Sequence, residues 1–460
     1  MSVSRVVNVR SMINDRPMSA FQIRTFLLCF LVLFLDGYDT VVLGYIAPAL
    51  KAHFGASAAQ LAPVFGAGFF GLAVGSFLFG PLADRFGRKT VLFVTVILFG
   101  LVSLMSAWAT SLETLLVLRF ITGLGLGGAM PNAYTLAVEY SPDRMRSTLV
   151  APLGCGISAG GVFGGLIAPF MIKTFGWHSM LIVGGILPLV LAIVLRLWLP
   201  ESVRFLVTKG RQNEARKVMH RIAPASIVAD AEFTLDEAPV RGFPVSGLLA
   251  RGLRTGSLLL WLTAFMALLV VYFLGNWLTI LVQDTGVSFD RASMMTALYL
   301  TGNGLGALFL GFLMDRINPQ YVVAGAFLCA AASLASFSYL IHVPAVALVA
   351  LFVTGVGTGG AMTGTSILSA GYYSTAMRAT GVAWTLGMGR VGSIVGSMIG
   401  GAMLAAHWAP NLMFAAVSAP VAIAAVSVFC LAIVRHKIRL STDASDTHEI
   451  PGNGETISNT

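Results

Sequence analysis

The chain has 460 residues, of which 57% are hydrophobic and only 11% charged, with a formal net charge of +9. A soluble chain is about 45–50% apolar and about 25% charged, so there is too little polar surface here to face water, and lipid is the solvent for most of it. The basic residues fall in short segments between apolar runs, which reads as membrane topology and excludes a nucleic-acid partner. Cys29, Cys155, Cys329 and Cys430 all lie in apolar stretches without a CxxC pair, so neither a disulfide framework nor a metal site is expected.

In chain order, residues 1–23 carry Arg5, Arg10 and Arg16 ahead of the first apolar run. That run contains Asp36 and Asp39 and is too long for a signal-peptide core, so it reads as a retained span. A span needs about 20 apolar residues, and such runs fall at 24–48, 58–82, 90–109, 113–137, 147–171, 178–199, 256–282, 292–314, 321–341, 346–370, 380–404 and 410–434. They divide the chain into an N-terminal bundle (24–199), a linker (200–255), a C-terminal bundle (256–434) and a polar tail (435–460) expected to be disordered. The linker's basic amphipathic stretch from Arg204 to Arg221 reads as a surface helix. With both termini cytoplasmic, only Lys51, Lys173 and Arg291 of the 29 Lys and Arg residues fall outside, and only Arg119 and Arg390 fall within spans. That asymmetry fixes the expected orientation of a multi-pass protein of the cell inner membrane.

The halves repeat. The run Phe120 to Met130 (FITGLGLGGAM) matches Phe352 to Met362 (FVTGVGTGGAM), and in the same register Tyr140 meets Tyr372 and Arg146 meets Arg378. Internal repeats mark many secondary transporters, with the solute site between the repeats near the midplane. The repeat sorts the charges. Arg378 has a counterpart and reads first as scaffold. Arg119 faces Leu351, Arg390 faces Ser158 and Glu139 faces Gly371, and an unshared charge inside a span is costly and usually functional. Asp36 and Asp39, at i and i+3, share one helical face, a natural place for a proton to be taken up and given back. Arg390 suits a carboxylate ligand by bidentate bonding, or else pairs with Asp36 or Asp39. Glu139 reads equally as a proton exit, reached from Arg119, and as an ion-pair gate for the Arg85–Lys89 loop. His178, at the outer edge of the sixth span, is interfacial or part of an outer gate. Asn276, Trp277 and Tyr38, with Tyr272 and Tyr299, offer rings and hydrogen bonds to an aromatic ligand.

The loop Gly80-Pro-Leu-Ala-Asp84-Arg85-Phe-Gly87-Arg88-Lys89 resembles the signature loop of the major facilitator superfamily, with a degenerate copy ending at Asp315-Arg316. Leu118-Arg119-Phe-Ile-Thr-Gly123 resembles a second signature of that superfamily, whose arginine is linked to proton movement. Gly161 stands where its antiporters carry proline, which argues against drug efflux. Asp36-Gly37-Tyr38-Asp39, Ile46 to Leu50, Gly275-Asn276-Trp277-Leu278 and Gly389-Arg390 resemble its aromatic acid:proton symporters, with Thr279 a departure where many members have proline. The resemblance implies an all-α membrane fold of two pseudo-symmetric six-helix bundles. It also implies proton-coupled uptake of an aromatic carboxylate such as 4-hydroxybenzoate or protocatechuate by a monomer in lipid, with protons the coupling ion and no other cofactor. In that family picture Arg85 and Arg88 bridge to acidic groups across the halves, while Gly80, Asp84, Gly87, Lys89, Asp315 and Arg378 complete the gate. The rival readings are an importer of a sugar or non-aromatic acid, since Pro200-Glu201-Ser202-Val-Arg204 resembles sugar porters, and a sensor on the same fold. No nucleophile–base set, metal spacing or phosphate loop points to an enzyme.

Overall fold

The computed structural model describes residues 6–223, 232–235, 245–250, 252–341 and 343–446. A short strand, β1 (Val6–Asn8), and a short helix, α1 (Val9–Asn14), precede the first bundle: α2 (Ala20–Phe54), α3 (Ala58–Phe86), α4 (Arg88–Ser106), α5 (Leu112–Glu139), α6 (Arg146–Phe175) and α7 (His178–Trp198). The linker forms α8 (Val203–Thr208), α9 (Gln212–Ile222), β2 (Glu232–Thr234) and α10 (Val245–Leu248). The second bundle is α11 (Arg254–Asp284), α12 (Phe289–Met314), α13 (Pro319–Leu340), α14 (Pro344–Tyr372), α15 (Arg378–Ala405) and α16 (Pro410–Asp446). Among the described residues, 12 helices are long and apolar enough to cross a membrane. Twelve helices alternating in direction put the start of α2 and the end of α16 at one end.

Local signals set the helix ends. Ser19 and Ser57 each accept a hydrogen bond from the backbone N–H three residues on, while Gln22 and Gln60 accept from the serine N–H groups. These reciprocal caps satisfy donors that the first turn leaves unpaired. Gly55, at φ +60°, closes α2 in the left-handed region where glycine has no steric penalty.

The repeated glycine run explains the bundle packing. A Cβ on Gly123 would strike the carbonyl of Gly68 on α3, and one on its repeat mate Gly355 would strike the carbonyl of Tyr299 on α12. The glycines thus let α5 lie on α3, and α14 on α12, backbone against backbone. Between the halves, Gly44 lies against the backbone of Gly275, Cys155 Sγ donates to Gly304 O at 3.3 Å, and Lys173 pairs with Asp290 at 2.5 Å. These contacts run along α2–α11 and α6–α12 from mid-helix to the end opposite the termini.

One expectation needs correction, the single linker helix. The basic linker stretch forms two helices, α8 and α9, broken at Gly210 with φ +70°. The last helix is continuous from Pro410 to Asp446; most of the tail expected to be disordered, residues 447–460, lies outside the described residues. The all-α membrane fold stands, and beside the two bundles β1 and β2 add a three-residue parallel pair from Val6↔Glu232 to Asn8↔Thr234.

Candidate functional site

The site is built from the middle of α2, where Asp36 is 2% and Asp39 4% exposed. The two carboxylates have different surroundings. Arg119, from α5, sends Nη1 to both oxygens of Asp39 at 3.3 and 3.2 Å. Ser103, from α4, donates to Asp39 Oδ1 at 2.8 Å and accepts from Arg119 Nη2 at 3.2 Å. Asp39, Arg119 and Ser103 therefore form a closed, buried triad. Such a pair is costly to assemble and costlier to break, because the survivor is left charged in a low dielectric.

Among the described residues Asp36, one turn away, receives a hydrogen bond only from Thr40 Oγ1, at 3.3 Å. No ion pair reaches it among the described residues, yet it lies within electrostatic reach of Arg390, Asp39, Tyr134 and Tyr272. Arg390, half-buried on α15, has Nη2 3.4 Å from the Met130 sulfur across the half-interface. One acid–base pair is thus closed and the other open, with the open pair shared between the halves. Beside it a narrow space is lined by Asp39, Thr40, Arg119, Phe65, Phe69 and Asn276. Asn276 Nδ2 donates to Tyr272 O at 2.9 Å, and the Tyr272 ring packs on Phe69 at 4.4 Å.

Two residues expected to touch a ligand are packed between helices in this structure. Trp277 is fully buried, donates from Nε1 to Ser397 O at 2.8 Å and sets its ring against Phe65, over the space left by Gly400. Tyr38 is equally buried and its hydroxyl donates to Met180 O at 2.7 Å, tying α2 to α7. The rings of Tyr272 and Tyr134 lie within electrostatic reach of the open pair. Tyr134 went unrecognised in the sequence, although its repeat mate is Ser366, so the asymmetry that singles out Arg119 also singles out Tyr134. Thr279 bonds Thr296 hydroxyl to hydroxyl at 3.0 Å, a link between α11 and α12 that proline could not make.

The other predicted residues lie toward the two ends. Glu139 is on the same helix as Arg119 but about 30 Å along it at 1.5 Å per residue, so no short proton route joins them. Glu139 is instead 3.8 Å from Arg88 Nε, and Arg88 Nη2 holds Asp84 at 2.7 Å. This cluster lies wholly within the first half. The expected bridge across the halves is absent among the described residues: Arg85 is exposed over the Phe86 ring, and Asp315 and Arg378 are exposed on the second half. The inter-half contacts named above, from Met130–Arg390 to Lys173–Asp290, lie between mid-helix and the opposite end. Gly80 is open, whereas Gly87, at φ +100°, seats the Glu201 side chain, whose Oε1 accepts from the N–H groups of Lys89 and Ser202 at 2.9 Å. The sugar-porter-like stretch therefore braces the α3–α4 turn. At the opposite end His178 stacks on Trp177 at 3.8 Å and meets His53 edge-on at 5.7 Å. No group of three or more metal-ligating side chains occurs among the described residues.

Known proteins sharpen this picture. Residues 29–259 and 260–450 match the Major Facilitator Superfamily. The chain is 43% identical over 445 residues to the 4-hydroxybenzoate transporter PcaK of Pseudomonas putida, covering 95% of this chain and 98% of that one. It is 40% identical to a gallate transporter of Pseudomonas putida, over 93% of this chain and 95% of the relative. The xylose transporter XylE from E. coli, solved in an inward open conformation, superposes with a TM-score of 0.73 at 18% identity, over 89% of this chain and 95% of that structure. At that identity the shared feature is the fold.

Proposed function

Because this chain belongs to the Major Facilitator Superfamily, among its aromatic acid transporters, we propose that it imports a small aromatic carboxylate, such as 4-hydroxybenzoate or protocatechuate, together with protons across the cell inner membrane. It is a transporter and not an enzyme, as its relatives are. The observation that carries the proposal is the unequal treatment of the two α2 carboxylates: Asp39 is closed by Arg119, while Asp36 and Arg390 remain open to a proton and an anion.

In this reading the termini are cytoplasmic, the halves meet on the periplasmic side, and the chain faces inward. Arg390 takes the substrate carboxylate through its guanidinium fork, with Tyr272 and Tyr134 beside the ring. Asp36 carries the proton on its carboxyl group, which makes its passage through the membrane interior affordable. A proton moving with a monoanion is electroneutral and is driven by the pH gradient alone. A second proton would add about 2.3 kcal/mol per 100 mV. Asp39–Arg119 ties α2, α4 and α5 into one unit, so the first half moves as a body when the halves rock. The Asp84–Arg88–Glu139 cluster is poised to meet the second half when the inner mouth closes. One copy of the chain contains every element of this scheme.

Uptake of labelled 4-hydroxybenzoate into proteoliposomes is expected to rise with an inward proton gradient and collapse with an uncoupler. Unlabelled benzoates should compete, and glucose should not. Uptake indifferent to the gradient would refute the proton coupling, and competition by glucose alone would refute the substrate class.

A further inference from the structure

Where the inner ends of α4 and α7 meet the linker, the protein gathers cations that the transport scheme does not use. α4 and α7 run antiparallel in contact, Gly100 lying against Pro188 and Gly185 against Leu104, so the start of α4 and the end of α7 share one end of the bundle. Lys89 is in the first turn of α4 and Arg196 in the last turn of α7. Arg221, at the end of α9, lies over the Phe21 ring at 5.9 Å, with Arg24 over the same ring at 5.4 Å. Arg196, Arg221 and Glu201 are within electrostatic reach of Lys89.

Among the described residues neutralisation is incomplete. Glu201 is the one carboxylate there within electrostatic reach of Lys89, and its Oε1 already serves two backbone N–H groups. Among the described residues Lys89, Arg196 and Arg221 make no salt bridge, and the Nε of Arg24 is buried without a hydrogen bond. Like charges gathered this closely repel unless an anion joins them. The surroundings indicate which anion. Directly beside Arg196, Leu197 is 71% and Trp198 55% exposed, and the stripe continues along α7 through Ile193 and Val190. An exposed tryptophan and arginine at the end of an apolar stripe mark the lipid–water boundary. A free phosphate would use the cations and leave the stripe unused.

We propose that Lys89, Arg196 and Arg221 form a binding site for the headgroup of an anionic phospholipid, whose acyl chain lies along the exposed face of α7. The lipid would fasten the linker helix α9 to the first bundle from below. Each cation near an anionic headgroup contributes enough that the site should favour phosphatidylglycerol over phosphatidylcholine by about tenfold.

The test uses the purified full chain in detergent with an equimolar mixture of the two lipids, and native mass spectrometry counts the retained molecules. Phosphatidylglycerol should be retained about tenfold over phosphatidylcholine and should raise Tm, whereas inorganic phosphate at the same concentration should not. The double variant Arg196→Gln/Arg221→Gln should lose most of the preference, and Arg196→Lys/Arg221→Lys should keep it, which separates loss of charge from loss of folding. Equal retention of both lipids by the unaltered chain, an unchanged preference in the glutamine variant, loss in the lysine variant, or equal stabilisation by inorganic phosphate would each overturn the site.

Discussion

α5 and α14 carry the same glycine run and place it in the same way, yet only α5 carries the charges. Gly123 and Gly355 each press a helix against its neighbour's carbonyl. On α5, however, Arg119, Tyr134 and Glu139 stand where α14 has Leu351, Ser366 and Gly371. The difference teaches that the repeat was kept where it packs helices and abandoned where it handles ions. The first half holds the closed pair Asp39–Arg119 and the open carboxylate Asp36, and the second contributes the half-buried cation Arg390.

The sharpest way to break this comparison is to make α5 resemble α14. Arg119→Leu leaves Asp39 buried and charged beside Ser103 alone, and should destabilise the protein by about 3–5 kcal/mol while abolishing uptake. Asp39→Asn added to it should restore part of the stability but none of the uptake. Thermal melts in detergent beside uptake assays check both, and a stable, active Arg119→Leu would show that the pair is decorative. A smaller effect probes the shared scaffold. Gly123→Ala and Gly355→Ala should each cost about 1–3 kcal/mol through overpacking, and by similar amounts. A large loss at one position with none at the other would mean that the repeat is no longer structurally equivalent.

Much of the fold was legible in the sequence because hydropathy and basic-residue placement are one-dimensional signals. The twelve apolar runs and the glycine repeat need no knowledge of tertiary contacts. The asymmetry between repeats singled out Arg119 and Arg390 for the same reason. Partner choice was not legible. Nothing in the spacing says that Arg119 turns to Asp39 rather than toward Glu139, since that depends on how α5 crosses α2. The packing of Tyr38 and Trp277 was not legible either, because a helix that is apolar all round gives no sign of which aromatic faces a cavity and which faces a neighbouring helix. The β1–β2 pair, three residues on each side, is too short to show an alternating pattern.

The smallest expected effect tests whether Trp277 packs or binds. Trp277→Phe keeps the ring but removes the bond to Ser397 O, so it should lower stability by about 1 kcal/mol and leave the substrate KM unchanged. A large rise in KM with unaltered Tm would return Trp277 to the ligand site.

The central claim is that the two α2 carboxylates divide the work, Asp39 holding the first half together and Asp36 carrying the proton. The most direct measurement compares accumulation with counterflow in proteoliposomes containing Asp36→Asn. The variant should fold with a Tm near that of the unaltered chain, because among the described residues Asp36 has no salt bridge to lose. It should also exchange labelled for unlabelled 4-hydroxybenzoate, yet fail to accumulate it under an inward proton gradient. Gradient-driven accumulation equal to that of the unaltered protein would contradict the account.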